Sequence, residues 1–112
     1  MNITDLVPKP TCQDAFRRSR ERFVPEASGC YALATFSGVV LYIGLSRNLR
    51  RRMNAHLDNP RKVSETEFGR AVRFCWIETT EMNKVERTWM NIHLQFEGRL
   101  PILNSVFSPT PT

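Results

Sequence analysis

The strongest constraint in this sequence is residues 29–57, GCYALATFSGVVLYIGLSRNLRRRMNAHL: two short apolar runs around Ser37-Gly38, followed at once by an arginine-rich segment. The runs are crowded with Val, Leu, Ile, Tyr and Phe, which suits strands. A two-residue link ending in glycine suits a tight hairpin, because glycine accepts the positive φ such turns need. That link sets a register, with Phe36 opposite Val39, Ala34 opposite Leu41, Leu33 opposite Tyr42 and Tyr31 opposite Gly44. Side chains alternate faces along a strand. Tyr31 and Tyr42 then share a face as diagonal neighbours about 7–8 Å apart, and Gly44 leaves room beside the Tyr31 phenol. Cys30, Ala32, Leu41 and Ile43 fall on the other face, as core.

A helix is expected directly after the hairpin, from Arg47 to Leu57, with Ser46 as its N-cap. Leu49, Met53 and Leu57 recur at four-residue steps and form its buried stripe. Arg52 and His56 are also four apart and stack along the edge of that stripe. Taken alone, they are a solvated arginine and a surface histidine. The hairpin changes this, because a helix starting at its end can bring both side chains to the tyrosine face. Two phenols, a guanidinium and an imidazole gathered there suit a phosphate-handling site.

The ordered set Gly29-Cys30-Tyr31, Tyr42-Ile43-Gly44, Ser46, Asn48, Leu49, Arg52 and His56, followed by Glu86 and by Pro101-Ile102-Leu103-Asn104, resembles the GIY-YIG nuclease superfamily over residues 29–104. The resemblance implies an α/β (α+β) fold, a small three-stranded, mainly antiparallel sheet flanked by helices. It also implies a metal-dependent endonuclease that hydrolyses phosphodiester bonds in DNA. Tyr31, Tyr42, Arg52, His56 and Glu86 would be its catalytic residues. Glu86 would be the metal ligand, holding Mg²⁺ or Mn²⁺, since one carboxylate with waters and substrate phosphate is a usual way to hold Mg²⁺. Gly44, Ser46 and Asn104 would support the site. The general base stays open between Tyr31, whose ordinary pKa is near 10, and His56, whose ordinary pKa is near neutrality. Cys30 stands where the family usually has Ile or Val; as a small, often buried residue it should cost no activity.

Elsewhere the chain reads as an N-terminal extension (1–28), a catalytic domain (29–104) and a flexible tail (105–112) that contains Ser108-Pro109-Thr110-Pro111-Thr112. Residues 1–10 look like an extended lead-in. An arginine-rich helix is expected over 12–23, capped by Thr11 and stopped by Pro25, with Phe16 and Phe23 as anchors. It either tracks a phosphate backbone or is simply a solvated helix pinned by two phenylalanines. Residues 59–65 read as a loop exposing Arg61 and Lys62. A short helix is expected over 64–70, with Ser64 and Glu67 as a capping box. Residues 71–79 alternate as a third strand, in which Trp76 is core or, less simply, a base-stacking residue. The longest helix is expected over 81–97, capped by Thr79 or Thr80 and closed by Gly98, burying Met82, Val85, Trp89, Ile92 and Phe96. Glu86 lies beside that stripe, where a carboxylate is partly desolvated and needs a cation; an ion pair with Arg73 or an Arg87 is the plainer alternative. His93 reads as a packed or surface histidine.

At 112 residues, 41% hydrophobic and 24% charged, the chain suits one ordinary globular domain. Its net charge of +5 comes chiefly from arginine, which binds phosphate bidentately and favours a nucleic-acid partner. Arg17, Arg18, Arg47, Arg50, Arg51, Arg61 and Lys62 are the expected backbone contacts. DNA, as single strands, branched junctions or a short duplex site, is expected ahead of RNA; a homodimer or a partner protein stays open. Cys12, Cys30 and Cys75 are odd in number and have no CxxC spacing, which argues against disulfides or zinc and fits a reducing cytoplasm. No apolar run is long enough for a membrane span, and no signal peptide is expected. A non-catalytic nucleic-acid-binding module, or an adaptor for an acidic protein, is the alternative to an enzyme.

Overall fold

The two apolar runs pair as expected, and the rest of the chain wraps the two faces of the resulting hairpin. The computed structural model describes residues 1–105. In chain order its main elements are β1 (Cys12–Ala15), β2 (Gly29–Ala34), β3 (Val40–Ser46), α1 (Leu49–Leu57), α2 (Pro60–Val63), β4 (Arg73–Glu78), α3 (Met82–Glu97) and α4 (Ile102–Ser105), with 3₁₀ turns at Ile3–Asp5 and Arg18–Phe23. The architecture is α+β with an antiparallel sheet, but the sheet has four strands, ordered β1-β4-β2-β3, rather than three.

The middle of the hairpin keeps the expected register, with Tyr31 opposite Gly44 and Leu33 opposite Tyr42. Its tip does not. Thr35 accepts from Gly38 N–H at 3.0 Å and donates its own N–H to Val39 at 3.0 Å, so the link has three residues, with Gly38 at φ 96°. A turn followed by a left-handed glycine is a common three-residue hairpin closure. The extra residue becomes a bulge that sets Ala34 opposite Val40 rather than Leu41. A bulge turns one side chain to the other face. Leu41 therefore joins the core on the tyrosine face, with Leu33, Leu49 and Met53, while Cys30, Ala32 and Ile43 lie on the opposite face as expected.

The expected helix over 12–23 is absent. Cys12–Ala15 instead pair with β4, and Arg18–Phe23 form the 3₁₀ turn. The stretch has no helical apolar stripe to bury, whereas β4 has an open edge whose backbone groups need partners. Phe16 is buried, but Phe23 is 48% exposed, with the guanidinium groups of Arg20 and Arg22 4.2 and 4.9 Å from its ring centre. The lead-in is also structured. Ile3 and Leu6 are buried on the α3 face, the Trp89 indole N–H donates to the Pro8 carbonyl at 2.8 Å, and the Met1 ammonium meets Glu97 at 2.6 Å.

The expected loop over 59–65 holds α2. Asn59 caps it by accepting from Arg61 N–H, and Pro60 occupies its first helical position, where a missing N–H costs nothing. No helix forms over 64–70. The Ser64 hydroxyl turns back to the Pro60 carbonyl, and Thr66 and Gly69 close a tight turn. The third expected strand is β4, in which Trp76 is buried in the core beside Phe74. The long helix α3 starts from Glu81 rather than Thr79 or Thr80, and Gly98 closes it at φ 73°. Its buried residues are Trp89 and His93, while Phe96 is 68% exposed because neither core cluster reaches the last turn. The His93 ring bonds the Arg99 carbonyl at 2.7 Å. Residues 106–112 of the expected tail lie outside the described residues. Among the described residues no helix is long and apolar enough to cross a membrane.

The fold makes the N-terminal lead-in part of the core. Leu6→Ala is expected to lower the unfolding free energy by about 2–5 kcal/mol, as for other buried leucines, read by urea denaturation. A change near zero would contradict that packing.

Candidate active site

Tyr31 sits in the middle of an inner strand and is fully buried. Its phenol reaches out of the sheet because Gly44 stands opposite. A Cβ at Gly44 would lie 2.5 Å from the Tyr31 hydroxyl oxygen and 2.6 Å from its ring carbon. Beneath, Phe74 stacks on the Tyr31 ring at 5.1 Å, and to one side Tyr42 stacks at 6.0 Å, close to the separation expected from the strand register. Gly29 has its own steric reason, since a Cβ there would strike the Ile77 carbonyl across the β2–β4 pair.

The start of α1 fixes the other two groups. Ser46 is not the helix cap. It is still paired in β3, and its hydroxyl accepts from Asn48 N–H at 3.0 Å and donates to the Asn48 carbonyl at 2.9 Å. The Asn48 side chain then caps α1 by accepting from Arg51 N–H at 3.0 Å. Leu49 and Met53 anchor the helix in the core, which turns Arg52 and His56 toward the phenols. The Tyr31 hydroxyl and His56 Nε2 are 2.6 Å apart in a buried hydrogen bond. The His56 ring also meets the Tyr42 ring edge-on at 4.9 Å.

Burial dominates the electrostatics. It holds Tyr31 well above the ordinary phenol range, and the charge of Glu86 adds to the rise while that of Arg52 opposes it. Burial, and then the charges of Lys62 and Arg52, push His56 down to about 3. At neutral pH both partners are therefore uncharged, and a single proton lies between the phenol oxygen and Nε2. Tyr42 is raised mainly by burial. Arg52 Nε is buried without a hydrogen-bond partner. A buried unsatisfied donor of this kind is costly unless something supplies an acceptor.

Glu86 lies on α3, which packs over the other face of the sheet, along β3 and β2. β3 is an edge strand, and the Glu86 charge acts on Cys30, Tyr31 and Tyr42. Burial raises the Glu86 pKa, and among the described residues no ion pair or side-chain hydrogen bond takes up its carboxylate. The same edge is held by Asn104 of α4. Its side-chain oxygen accepts from Ile43 N–H and its amide donates to the Ile43 carbonyl, both at 2.9 Å, clamping the residue between Tyr42 and Gly44. No group of three or more His, Cys, Asp or Glu side chains suited to a metal occurs among the described residues.

The expected backbone-contacting cations separate into three kinds. Arg17, Arg47, Arg51 and Arg61 are exposed. Arg18 is exposed but paired with Asp58. Arg50 is turned inward, against expectation: its guanidinium bonds the Val24 and Arg22 carbonyls at 2.8 and 3.2 Å and meets Glu26 at 3.3 Å. Those bonds tie the Arg18–Phe23 turn to α1. Lys62 also departs from expectation. It is 5% exposed, with its ammonium 4.7 Å from the centre of the Tyr42 ring. The Asn59-Pro60 pair was the available signal, because an N-cap followed by proline starts a helix and so sets which side chain turns inward.

A profile described as the GIY-YIG catalytic domain matches residues 27–99. The UvrABC system protein C of Lactobacillus helveticus (strain DPC 4571), and that of Lactobacillus acidophilus (strain ATCC 700396 / NCK56 / N2 / NCFM), are each 30% identical to the chain over 63 residues. The match covers 56% of this chain but 10% of each relative. Among solved structures, the GIY-YIG N-terminal endonuclease domain of UvrC from Thermotoga maritima, a point mutant bound to its catalytic divalent cation, superposes with a TM-score of 0.50. It shares 20% identity over 78% of this chain and 92% of that one, which establishes likeness of fold.

Two outcomes follow from the buried pair. Gly44→Ala should displace the Tyr31 hydroxyl from His56, seen as a changed His56 imidazole NMR signal in a folded protein; an unchanged signal would contradict the packing. His56 has a native pKa of about 3, below the unfolded value of about 6.5. Its contribution to stability is present above that unfolded value and is lost as pH falls toward the native one. Urea denaturation between pH 7 and 5 should show a shallower pH slope for His56→Gln than for the parent. Equal slopes would show that the imidazole is not held neutral.

Proposed function

The chain belongs to the GIY-YIG catalytic-domain family, and on that premise we propose that it is an endonuclease that hydrolyses phosphodiester bonds in DNA with the help of a divalent cation. The observation that carries this reading is the buried Tyr31–His56 hydrogen bond beside the unsatisfied Arg52 Nε. Residues 29–104 are taken as the catalytic unit, with β1 completing its sheet.

Arg52 supplies the first interaction. A phosphate oxygen is an acceptor of the charge-assisted kind that its orphaned Nε lacks. The guanidinium would bind the diester and stabilise the charge that builds on it during displacement. Tyr31 and His56 form a proton relay rather than two competing bases. The phenol oxygen accepts a proton from the attacking water as its own proton passes to His56 Nε2. An anionic phosphate seated among the cations offsets part of the positive field that holds His56 down, so the imidazole becomes a better acceptor only when substrate is present. Tyr42 lines the same face and would orient the phosphate or the water. Asn104 and Gly44 hold the strand and the phenol in place.

Glu86 fits a divalent cation, because its half-buried carboxylate forms no ion pair among the described residues and feels only the more distant charge of Arg87. With one protein carboxylate, water and phosphate would complete the coordination, which suits Mg²⁺ or Mn²⁺. Such a cation, when bound, neutralises charge on the phosphate and the departing oxygen. Arg47, Arg51 and Arg17 would meet neighbouring phosphates, giving salt-sensitive affinity. DNA structure or a short sequence is the selectivity we propose.

Incubation of single-stranded, nicked, branched and duplex DNA with Mg²⁺ or Mn²⁺ is expected to yield cleavage that a chelator abolishes. Glu86→Ala should lose cleavage while binding survives, and Arg52→Ala should slow it by about 100-fold or more. Chelator-resistant cleavage, retained by purified Glu86→Ala, would sink the proposal.

A further inference from the structure

Lys62 is a buried lysine. It is 5% exposed, and among the described residues no acidic side chain forms an ion pair with it. Burying an ammonium without a carboxylate is unfavourable. A lysine used only to follow a nucleic-acid backbone would sit in solvent, as Arg47 and Arg51 do. Instead the chain builds a local device to bring it in. Asn59 N–H donates to the His56 carbonyl at 3.0 Å, Lys62 N–H donates to the Asn59 carbonyl at 3.0 Å, and Pro60 starts the short helix between them. The ammonium lies over the Tyr42 ring, whose π face attracts it.

Its surroundings indicate what it awaits. The Tyr42 ring also contacts the His56 ring. Burial, and then the charges of Arg61 and Arg52, disfavour the charged Lys62 ammonium. Arg52 Nε has no acceptor. Two desolvated cations held near each other, one with an unsatisfied donor, repel until an anion lies between them. Among the described residues no carboxylate forms an ion pair with either cation, which leaves that place to an anion of the substrate.

We propose that Lys62 is a further catalytic residue: with Arg52 it grips the non-bridging oxygens of the scissile phosphodiester, and the Tyr42 ring holds its ammonium in position. Tyr42 thereby acts as a platform for Lys62 as well as a lining residue. This assignment rests on the phosphodiester reading of the site.

The test has two arms. In the first, a dithymidine monophosphate, which carries a single phosphodiester, is titrated in EDTA while the Lys62 side-chain CH₂ signals are followed by NMR. The Lys62 signals should shift with saturation, and Lys62→Gln should weaken binding by about tenfold or more. In the second arm, single-turnover cleavage of a labelled oligonucleotide is measured at saturating protein. Lys62→Gln should slow the saturated rate by about 100-fold, and Lys62→Arg should recover part of it. Lys62→Met, which removes a buried charge, should keep or raise the melting temperature and still lose the rate; it takes the place of Lys62→Gln if that variant fails to fold. A saturated rate unchanged in Lys62→Gln, with only weaker binding, would overturn the proposal and leave Lys62 an ordinary backbone contact. If the parent protein cleaves nothing, the nuclease reading fails, and the dinucleotide titration still decides: no movement of the Lys62 signals overturns the assignment.

Discussion

The structure depends on one buried hydrogen bond, between the Tyr31 hydroxyl and His56 Nε2 at 2.6 Å. It joins an inner strand to the helix that follows the hairpin, and each neighbour contributes a condition for it. Gly44 provides the volume the phenol occupies. Phe74 supports the phenol ring from below. Ser46 ends the strand and Asn48 starts α1 two residues later, which sets the rotation of the helix and so where His56 points. Burial then keeps both groups neutral, so the bond joins an uncharged phenol to an uncharged imidazole.

Around that pair the charges are unbalanced. Among the described residues Arg52 and Lys62 on the tyrosine face form no ion pair, and neither does Glu86 on the helix over the opposite face. Each alone is unfavourable in a folded chain. Together they complement a phosphate with a bound metal ion, which would supply an anion for one side and a cation for the other. Two apolar clusters, one on each face of the sheet, carry the stability that lets such a site persist. Asn104 closes the exposed edge at Ile43, where the sheet would otherwise end in unpaired backbone groups beside the tyrosines.

Much of this was legible in the residues. The alternation through Tyr31, Leu33, Tyr42 and Gly44 is strict, so the central register could be read, and with it the shared face of the tyrosines. The four-residue steps of Leu49 and Met53 oriented α1, and Gly98 marked the end of α3. What could not be read depended on contacts distant in sequence. The bulge that moves Leu41 comes from a tip one residue longer than the shortest closure. Cys12–Ala15 became a strand because β4 offered an edge, which local propensity does not encode. Lys62 looked like a loop lysine because charge usually means solvent; only the Asn59-Pro60 cap signals the turn that buries it. Phe96 matched the helical period, but period alone does not say where the core stops.

The central claim is that these side chains converge on one phosphate. The most direct measurement is a crystal structure of the Glu86→Gln variant, which keeps the site's shape while disabling it, bound to a short DNA strand. The account predicts one backbone phosphate within hydrogen-bond distance of Arg52 Nε, facing the Tyr31–His56 pair. DNA lying only along the exposed arginines, with Arg52 Nε still without an acceptor, would contradict it.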